Sequence, residues 1–443
     1  MVWFIVIYAL WSIVGALWII SRCERAMLAW GWALAMIVCA PLATLFYYLT
    51  SVPRAQYLPA ERHASYSRLQ NVVANGCGSA LTLHNKVQAL HNGDATFSFL
   101  MRDVQRAREE INIEYYILEC DRVGRALLQL LMRRARAGVK VRIIYDGVGS
   151  WRLGRKERER IKGSGIEIRA YAPLRPPLLT RASHRRNHRK VVVIDNRIAY
   201  LGGINIAGRY LHGGKLGFWR DEHLRVEGAA AQQLRSLFAE DWRAVGGEIQ
   251  SVALLASSVM SVCPMQILWV QEGFSRMTLL HALMEAVASS RHNIRITTPY
   301  FLPSEELLSA IIVAVRGGVK VEILIPRVSD VRVVGLASER YIARCIEAGA
   351  EVYRYGAGFM HSKTIVIDES VVIVGSANID GRSLYYNMEA SAIIYNRHVA
   401  REYISRCETD VALSERVTQD CFTHRSASQL LTQGLSRLLA PLL

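Results

Sequence analysis

Two short stretches carry the same reactive residue types at the same spacing. "HRKVVVID" begins at His188 and "HSKTIVID" at His361. In each, a lysine follows the histidine by two positions (Lys190, Lys363) and an aspartate follows by seven (Asp195, Asp368). Residues i and i+2 of a β-strand share a face, so each histidine projects with its lysine while Val191 and Val193 point to the core. After each aspartate come a polar turn and a second apolar strand, "RIAYLGGIN" ending at Asn205 and "SVVIVGSAN" ending at Asn378, at one common offset from the histidine. Gly202 and Gly203, and Gly375 with Ser376, let this returning strand come close and bring the asparagine amide beside the histidine and lysine. An imidazole can act as nucleophile or as general acid and base, an ammonium supplies charge, and an amide supplies neutral donors. A single copy reads equally well as a strand edge blunted by charge. Two copies at one spacing do not.

The elements that must position these residues are duplicated too. "DATFSFLMRDVQRAREE" is helical by period, "INIEYYIL" a strand, "GRALLQLLMRRARAG" a helix and "VKVRIIYD" a strand. The order returns as "TLLHALMEAVASSRH", "IRITTPYF", "SEELLSAIIVAVRGG" and "VKVEILIP". The "GVKV" junctions at Gly138 and Gly318 lie 180 residues apart, and the two motif histidines 173. The expected fold is therefore α/β, with two tandem halves of mixed sheet flanked by helices that pack about a pseudo-twofold axis into one catalytic unit. Each half then supplies one histidine, one lysine and one asparagine to a common site. Expected boundaries are an anchor at 1–53, a linker and first half at 54–250, and a second half at 251–443.

The anchor expectation comes from "VWFIVIYALWSIVGALWII" (residues 2–20) and "AMLAWGWALAMIVCAPLATLFYYL" (residues 26–49), each long enough to span a bilayer, with "SRCER" between them. Trp3, Trp18, Tyr47 and Tyr48 are available for the interfaces. A cleaved signal peptide predicts a basic start and one short apolar core, and neither is present. The net charge of +16 falls almost wholly after Leu49 and points to an anionic partner, phospholipid headgroups first and nucleic acid second. The eight cysteines form no CxxC pair, and the single CxxH is Cys421 with His424. Free thiols, a reducing compartment and no metal site or cofactor are expected. Arg22 and Arg25 in the loop compete with Arg54, Arg62 and Arg68 beyond the second span in setting orientation.

The doubled HxKxxxxD followed by GG/GSxN resembles the phospholipase D superfamily from about residue 95 onward. "IEYYIL", "RNHRKVVVID", "GGINI", "WRDEHLRVEG", "TPYFLP", "GFMHSKTIVID", "GSANIDGRSLYYNMEA" and the terminal "RLLAPLL", with the hairpin, resemble bacterial cardiolipin synthases. The resemblance implies transfer at a phosphodiester, with phosphatidylglycerol and other anionic phospholipids as partners, in the bacterial inner membrane. A multi-pass anchor and a cytoplasmic catalytic domain go with it. Lys190 and Lys363 would supply charge and Asn205 and Asn378 donors where negative charge grows. The superfamily implies His188 as nucleophile and His361 as general acid and base, an assignment that residue pattern alone leaves symmetric. It also implies that acids pair with the opposite half's histidine, Glu389 with His188 and Asp221 with His361. Asp195 and Asp368 complete the catalytic motif, yet their odd spacing turns them off the His/Lys face toward a buried salt bridge or a turn cap.

Three further stretches carry two readings each. The run 175–190 has no acid and reads as a solvated loop or a headgroup contact, with Arg181 and Arg185 divided evenly between the two. Phe359 and Met360 read as core or as an acyl-chain entrance. "SQLLTQGLSRLLAPLL" lies on a bilayer or closes the core. Three functions fit the chemistry: a phosphatidyltransferase making cardiolipin, a phospholipase D in which water replaces the alcohol, and a nuclease or a degenerate binding protein. The bilayer hairpin disfavours the nuclease, and no nucleic acid is expected as partner. The intact histidines, lysines and asparagines disfavour the binding protein.

Overall fold

The computed structural model describes residues 2–23, 26–51, 60–61, 65–173, 185–251, 259–271, 274–423 and 425–438. The N-terminal helices and the α/β portion are separate compact units. Most of the basic run expected to meet a headgroup, including Arg181, lies outside the described residues, as does His424.

Helix Val2–Arg22 is apolar and long enough to cross a bilayer. The second apolar segment, Ala26–Thr50, is also long and apolar enough to cross, over Leu28–Tyr48, but is not one straight helix. Its helix breaks at Cys39 (φ −153°, ψ 81°), two residues before Pro41. Proline cannot donate to the helix and disfavours helical geometry in the residue before it. Tyr8 takes up the freed groups: its hydroxyl donates to the Val38 carbonyl at 3.0 Å and accepts from the Ala40 N–H at 3.1 Å. Beyond the break the chain turns back. Tyr47 packs edge-on against both Trp18 and Trp32 at 5.5 Å, and the Thr44 hydroxyl lies 3.5 Å from Met36 Sδ. Tyr47 is thus buried inside the helical unit rather than placed at a water interface.

The α/β portion is a tandem duplication. Its first half holds β1 (Thr82–His91), β2 (Glu110–Tyr115), β3 (Lys140–Asp146), β4 (Glu167–Tyr171), β5 (Lys190–Ile194), β6 (Ile198–Gly202), β7 (Trp219–Arg220) and β8 (Glu222–Gly228). The second holds β9 (Val262–Val270), β10 (Asn293–Thr297), β11 (Lys320–Pro326), β12 (Glu351–Tyr355), β13 (Phe359–Met360), β14 (Thr364–Ile367), β15 (Val371–Gly375), β16 (Glu389–Tyr395) and β17 (Ser414–Val417). The strand order β1-β8-β6-β5-β2-β3-β4 recurs as β9-β16-β15-β14-β10-β11-β12, with β17 added at the edge. Antiparallel pairing of β1 with β9 joins the two into one 15-stranded sheet. β2–β3 and β10–β11 are parallel, crossed over by helices Arg122–Arg136 and Glu305–Arg316. Both crossover helices are followed by a glycine at φ 91°, Gly138 and Gly318, so the "GVKV" junction is a left-handed turn that a side chain would strain.

The motif strands are buried on both faces. Val191 and Val193 pack with Leu201 and Leu224 against Val366, Val372 and Val374 of the other half. Val192 and Ile194, which share parity with Lys190, join Ile111, Ile113 and Tyr200 in the first half's own core. The face that carries the lysine thus becomes structural within two residues, because helices cover the sheet there. Phe359 and Met360 are fully buried, so core packing takes them rather than an open acyl entrance. In the C-terminal helix Ala427–Leu438, Leu430, Leu431, Leu435 and Leu438 remain exposed.

Candidate active site

The motif residues emerge where the strands of each half end. His188 stands two residues before β5, and its N–H donates to the Met388 carbonyl of the second half at 3.0 Å. His361 stands just after β13, and its N–H donates to the Arg220 carbonyl of the first half at 2.8 Å. β13 runs parallel to β7, pairing Phe359 with Trp219 and Met360 with Arg220, and the mirror bridge pairs Asn187 with Met388. The two halves therefore clasp each other on either side of the histidines.

Each imidazole is held by a carboxylate from the opposite half. His188 Nδ1 lies 2.9 Å from Glu389 Oε1, and His361 Nδ1 lies 2.6 Å from Asp221 Oδ2. The rings are walled by aromatics, Tyr116 against His188 (4.9 Å) and Trp219 and Tyr210 against His361 (5.1 and 5.6 Å). Lys190 Nζ donates to the His188 carbonyl and sits 5.4 Å from the Tyr116 ring centre. Lys363 Nζ donates to the His361 carbonyl and lies 3.0 Å from His361 Nδ1.

Burial dominates the electrostatics. It pushes His188 down to about 4 against the pull of Glu389. It also drives His361 well below the usual imidazole range, with Lys363 and Lys190 adding to the effect. Lys190 falls to about 7 and Lys363 to about 8 through desolvation, which their acidic neighbours only partly offset. Burial alone would raise Glu389, yet His188, Lys190 and Ser376 outweigh it and hold the carboxylate at about 2. In Asp221 burial wins over Lys363 and the Glu222 N–H, and the carboxyl rises to about 6. At neutral pH two neutral imidazoles thus face two carboxylates. Each Nδ1–H points at its acid, and Nε2 is left to react.

Asn205 and Asn378 lie at this site with one amide hydrogen each committed. Asn205 Nδ2 donates to the Tyr210 hydroxyl at 2.7 Å and Asn378 Nδ2 to Asp380 at 3.1 Å. The remaining N–H of each is available. Asp195 and Asp368 are not at the site; seven extended residues put them roughly 20 Å from their histidines. Each adopts left-handed backbone geometry (φ 51° and 48°) and accepts from three successive N–H groups, 108–110 and 291–293 respectively, at 2.8 to 3.0 Å. They cap the start of β2 and β10, so their place in a catalytic set is corrected to a structural one.

Further side chains support the histidines and their acids. Ser376 and Ser383 both hydrogen-bond Glu389, Ser383 at 2.8 Å. Arg189, fully buried inside the motif, pairs with Asp241 and donates to the Val270 carbonyl at 2.8 Å, fixing β9 against the start of β5. In the sequence Ser376 is singled out only for letting the strand come close; it stands where the first half has Gly203, and its hydroxyl is what reaches Glu389.

A duplicated α/β chain with two histidine–lysine strands converging on one site defines a phospholipase D-like enzyme. The fold agrees with that of phosphatidylserine synthase from Haemophilus influenzae Rd KW20 (TM-score 0.64, 14% identity, 85% of this chain and 100% of that one). It also agrees with polyphosphate kinase from Porphyromonas gingivalis (TM-score 0.55, 15% identity, 87% of this chain and 58% of that one). Residues 100–242 and 283–411 match the family "Cardiolipin synthase, PLD-like domain". Cardiolipin synthase of Geobacillus sp. (strain WCH70) is 34% identical over 376 residues, 82% of this chain and 74% of the relative. Cardiolipin synthase 2 of Bacillus cereus is 35% identical over 372 residues, 82% and 72% respectively. The chain belongs to the cardiolipin synthase family of phospholipase D-like proteins and is a phosphatidyltransferase. Its apolar N-terminal helices mark it as a membrane protein.

Proposed function

We propose that this protein is a membrane-bound cardiolipin synthase. It transfers a phosphatidyl group from one phosphatidylglycerol to another and releases glycerol, through a phosphohistidine at His188. Residues 54–250 and 251–443 act as one catalytic unit behind an anchor at 1–53. The observation that carries this reading is the cross-half pairing of each imidazole with a carboxylate, 2.9 Å at His188 and 2.6 Å at His361. Glu389 keeps the Nδ1–H of His188 engaged, so Nε2 presents its lone pair to phosphorus. As the P–Nε2 bond forms, the bond from phosphorus to the leaving glycerol oxygen breaks, and His361 protonates that oxygen. The phosphodiester's negative charge offsets the two lysines, and together with Asp221 it lets His361 take up the proton it donates. Lys190, Lys363 and the free amide hydrogens of Asn205 and Asn378 surround the non-bridging oxygens. Anionic phospholipids suit the strongly basic chain.

The catalytic portion faces the cytoplasm of a bacterial inner membrane in this reading, with a multi-pass anchor. Its eight free cysteines suit a reducing compartment. Labelling of Cys421, which is exposed, by an impermeant thiol reagent on intact cells would reverse that orientation. The deciding assay is purified protein in micelles of phosphatidylglycerol. Cardiolipin with equimolar glycerol supports the synthase, and phosphatidic acid alone makes the enzyme a phospholipase D.

A further inference from the structure

Beyond the shared motif the two half-sites are lined differently. Tyr300 follows β10, whose Thr297 pairs with Thr364 beside Lys363, and Asp330 follows the neighbouring strand β11. The Tyr300 hydroxyl donates to Asp330 Oδ1 at 2.8 Å. The charge of Asp330 acts on Lys363 and on Tyr210, whose ring packs against His361. Phe301 bridges Ile379, next to Asn378, and the Thr298 hydroxyl accepts from the Ile379 N–H and donates to the Tyr300 carbonyl, so the pair lies beside the second half-site.

The duplication shows what stands at the same places in the first half. Leu118–Ile206 and Phe301–Ile379 are equivalent bridges, which makes Ile117 the counterpart of Tyr300. The 180-residue offset of the "GVKV" junctions makes Ser150 the counterpart of Asp330. Ile117 has no polar group to offer. Ser150 has spent its hydroxyl, donating to the Tyr116 carbonyl and accepting from the Leu118 N–H, both at 2.9 Å. At these equivalent places, among the described residues, the second half-site alone presents a carboxylate bonded to a phenol; in the first, Tyr116 lies against His188 and Asp146 is taken up by the Val148, Gly149 and Asn187 N–H groups.

A carboxylate beside a phosphodiester works against phosphate binding, so its natural ligand is of another kind. Hydroxyl groups fit: with the Tyr300 proton committed to Asp330, an alcohol O–H can donate to the other Asp330 carboxylate oxygen or to the phenol oxygen. We propose that Tyr300 and Asp330 form a polyol subsite, which holds the free hydroxyls of the acceptor's glycerol headgroup and so favours an alcohol over a monohydric competitor or water. This rests on the phosphatidyl transfer proposed above. In the second step the acceptor's primary hydroxyl oxygen bonds to phosphorus, the bond from phosphorus to His188 Nε2 breaks, and the hydroxyl proton passes to His361 Nε2. The subsite engages the neighbouring hydroxyl of the same glycerol, which fixes the attacking oxygen.

The test uses full-length enzyme in phosphatidylglycerol micelles with 1-propanol as a competing acceptor, so that cardiolipin, phosphatidylpropanol and phosphatidic acid are counted together. Tyr300→Phe and Asp330→Asn are each expected to lower the ratio of cardiolipin to phosphatidylpropanol about tenfold, the effect of one hydrogen bond to a hydroxyl. A parallel fall in all three products at an unchanged ratio overturns the subsite and leaves the pair as a counterweight to Lys363. If the unsubstituted enzyme makes phosphatidylpropanol and phosphatidic acid but no cardiolipin, the synthase reading itself fails, and the subsite with it.

Discussion

The half-site around His188 and the half-site around His361 share one plan and hold their carboxylates differently. Glu389 is met by the Ser376 and Ser383 hydroxyls, the Asn387 amide and His188, and stays at about 2. Asp221 has the Glu222 N–H and His361, and rises to about 6. Position 203 explains part of the gap. A side chain there would put its Cβ 2.2 Å from Asp221 Oδ1, so the first half carries glycine where the second carries the serine that binds Glu389. A firmly ionised acid suits a histidine that becomes covalently cationic. A softer acid suits one that takes up and gives back a proton. Duplicated motifs can thus divide labour through their neighbours while the motif residues stay identical.

The strongest way to break that comparison is to remove each imidazole. His188→Ala is expected to lower cardiolipin formation at least about ten-thousandfold and to leave no lipid on the protein, since no covalent intermediate can form. His361→Ala should be comparably slow yet accumulate a phosphatidyl-enzyme, visible by intact-protein mass spectrometry. The same adduct on neither variant, or on His188→Ala alone, would undo the division of roles. Next in size, Lys190→Ala and Lys363→Ala should each reduce kcat by about a hundredfold or more, as each removes a charge aimed at the transition state. Near-normal turnover in either variant would show that its ammonium does not face phosphorus.

Smaller effects sharpen the contrast between the acids. Ser376→Gly gives the second half the glycine of the first. It should raise Glu389 and lower kcat about tenfold, the loss of one charge-assisted hydrogen bond. The pH profile reports the rest. kcat/KM should climb as pH rises through about 6, where Asp221 ionises, and fall as Lys190 (about 7) and then Lys363 (about 8) lose their protons. Asp221→Asn should flatten the acid limb while leaving the alkaline one. In kcat the alkaline limb should sit higher, because bound phosphodiester stabilises both ammonium charges. An acid limb that survives Asp221→Asn assigns it to another group.

The duplicated motif and its crossover units were legible because strand alternation and repeat spacing are local properties of the chain, whereas the opposed acids followed only from the family resemblance. β1 and β9 were not. "TLHNKVQALH" mixes polar and apolar residues, as suits a strand whose neighbours belong to two different halves, and its partner lies about 180 residues away. Asp195 and Asp368 were half legible: parity turned them off the reactive face, but only the folded chain shows the three N–H groups each one gathers. The serines around Glu389 have no periodic signature, because hydroxyls recruited from a turn and a short helix are specified by tertiary approach.

The break at Cys39 bears on how many times the chain crosses the membrane. Ala26–Val38 and Pro41–Thr50 are, at ~1.5 Å per residue, about 20 and 15 Å long, each short of the ~30 Å hydrocarbon core. With Tyr47 beside Trp18 and Trp32, the second segment folds back on itself, whereas helix Val2–Arg22 runs unbroken. A single crossing, in place of the proposed multi-pass anchor, would put Ser51 on the side where Arg22 ends the first helix, and the arginines Arg22, Arg25, Arg54, Arg62 and Arg68 of the sequence would then cooperate under the positive-inside rule instead of competing. An epitope added before Val2 should be shielded from antibody outside the cytoplasmic membrane under the multi-pass anchor, and one reached from outside would establish the single crossing.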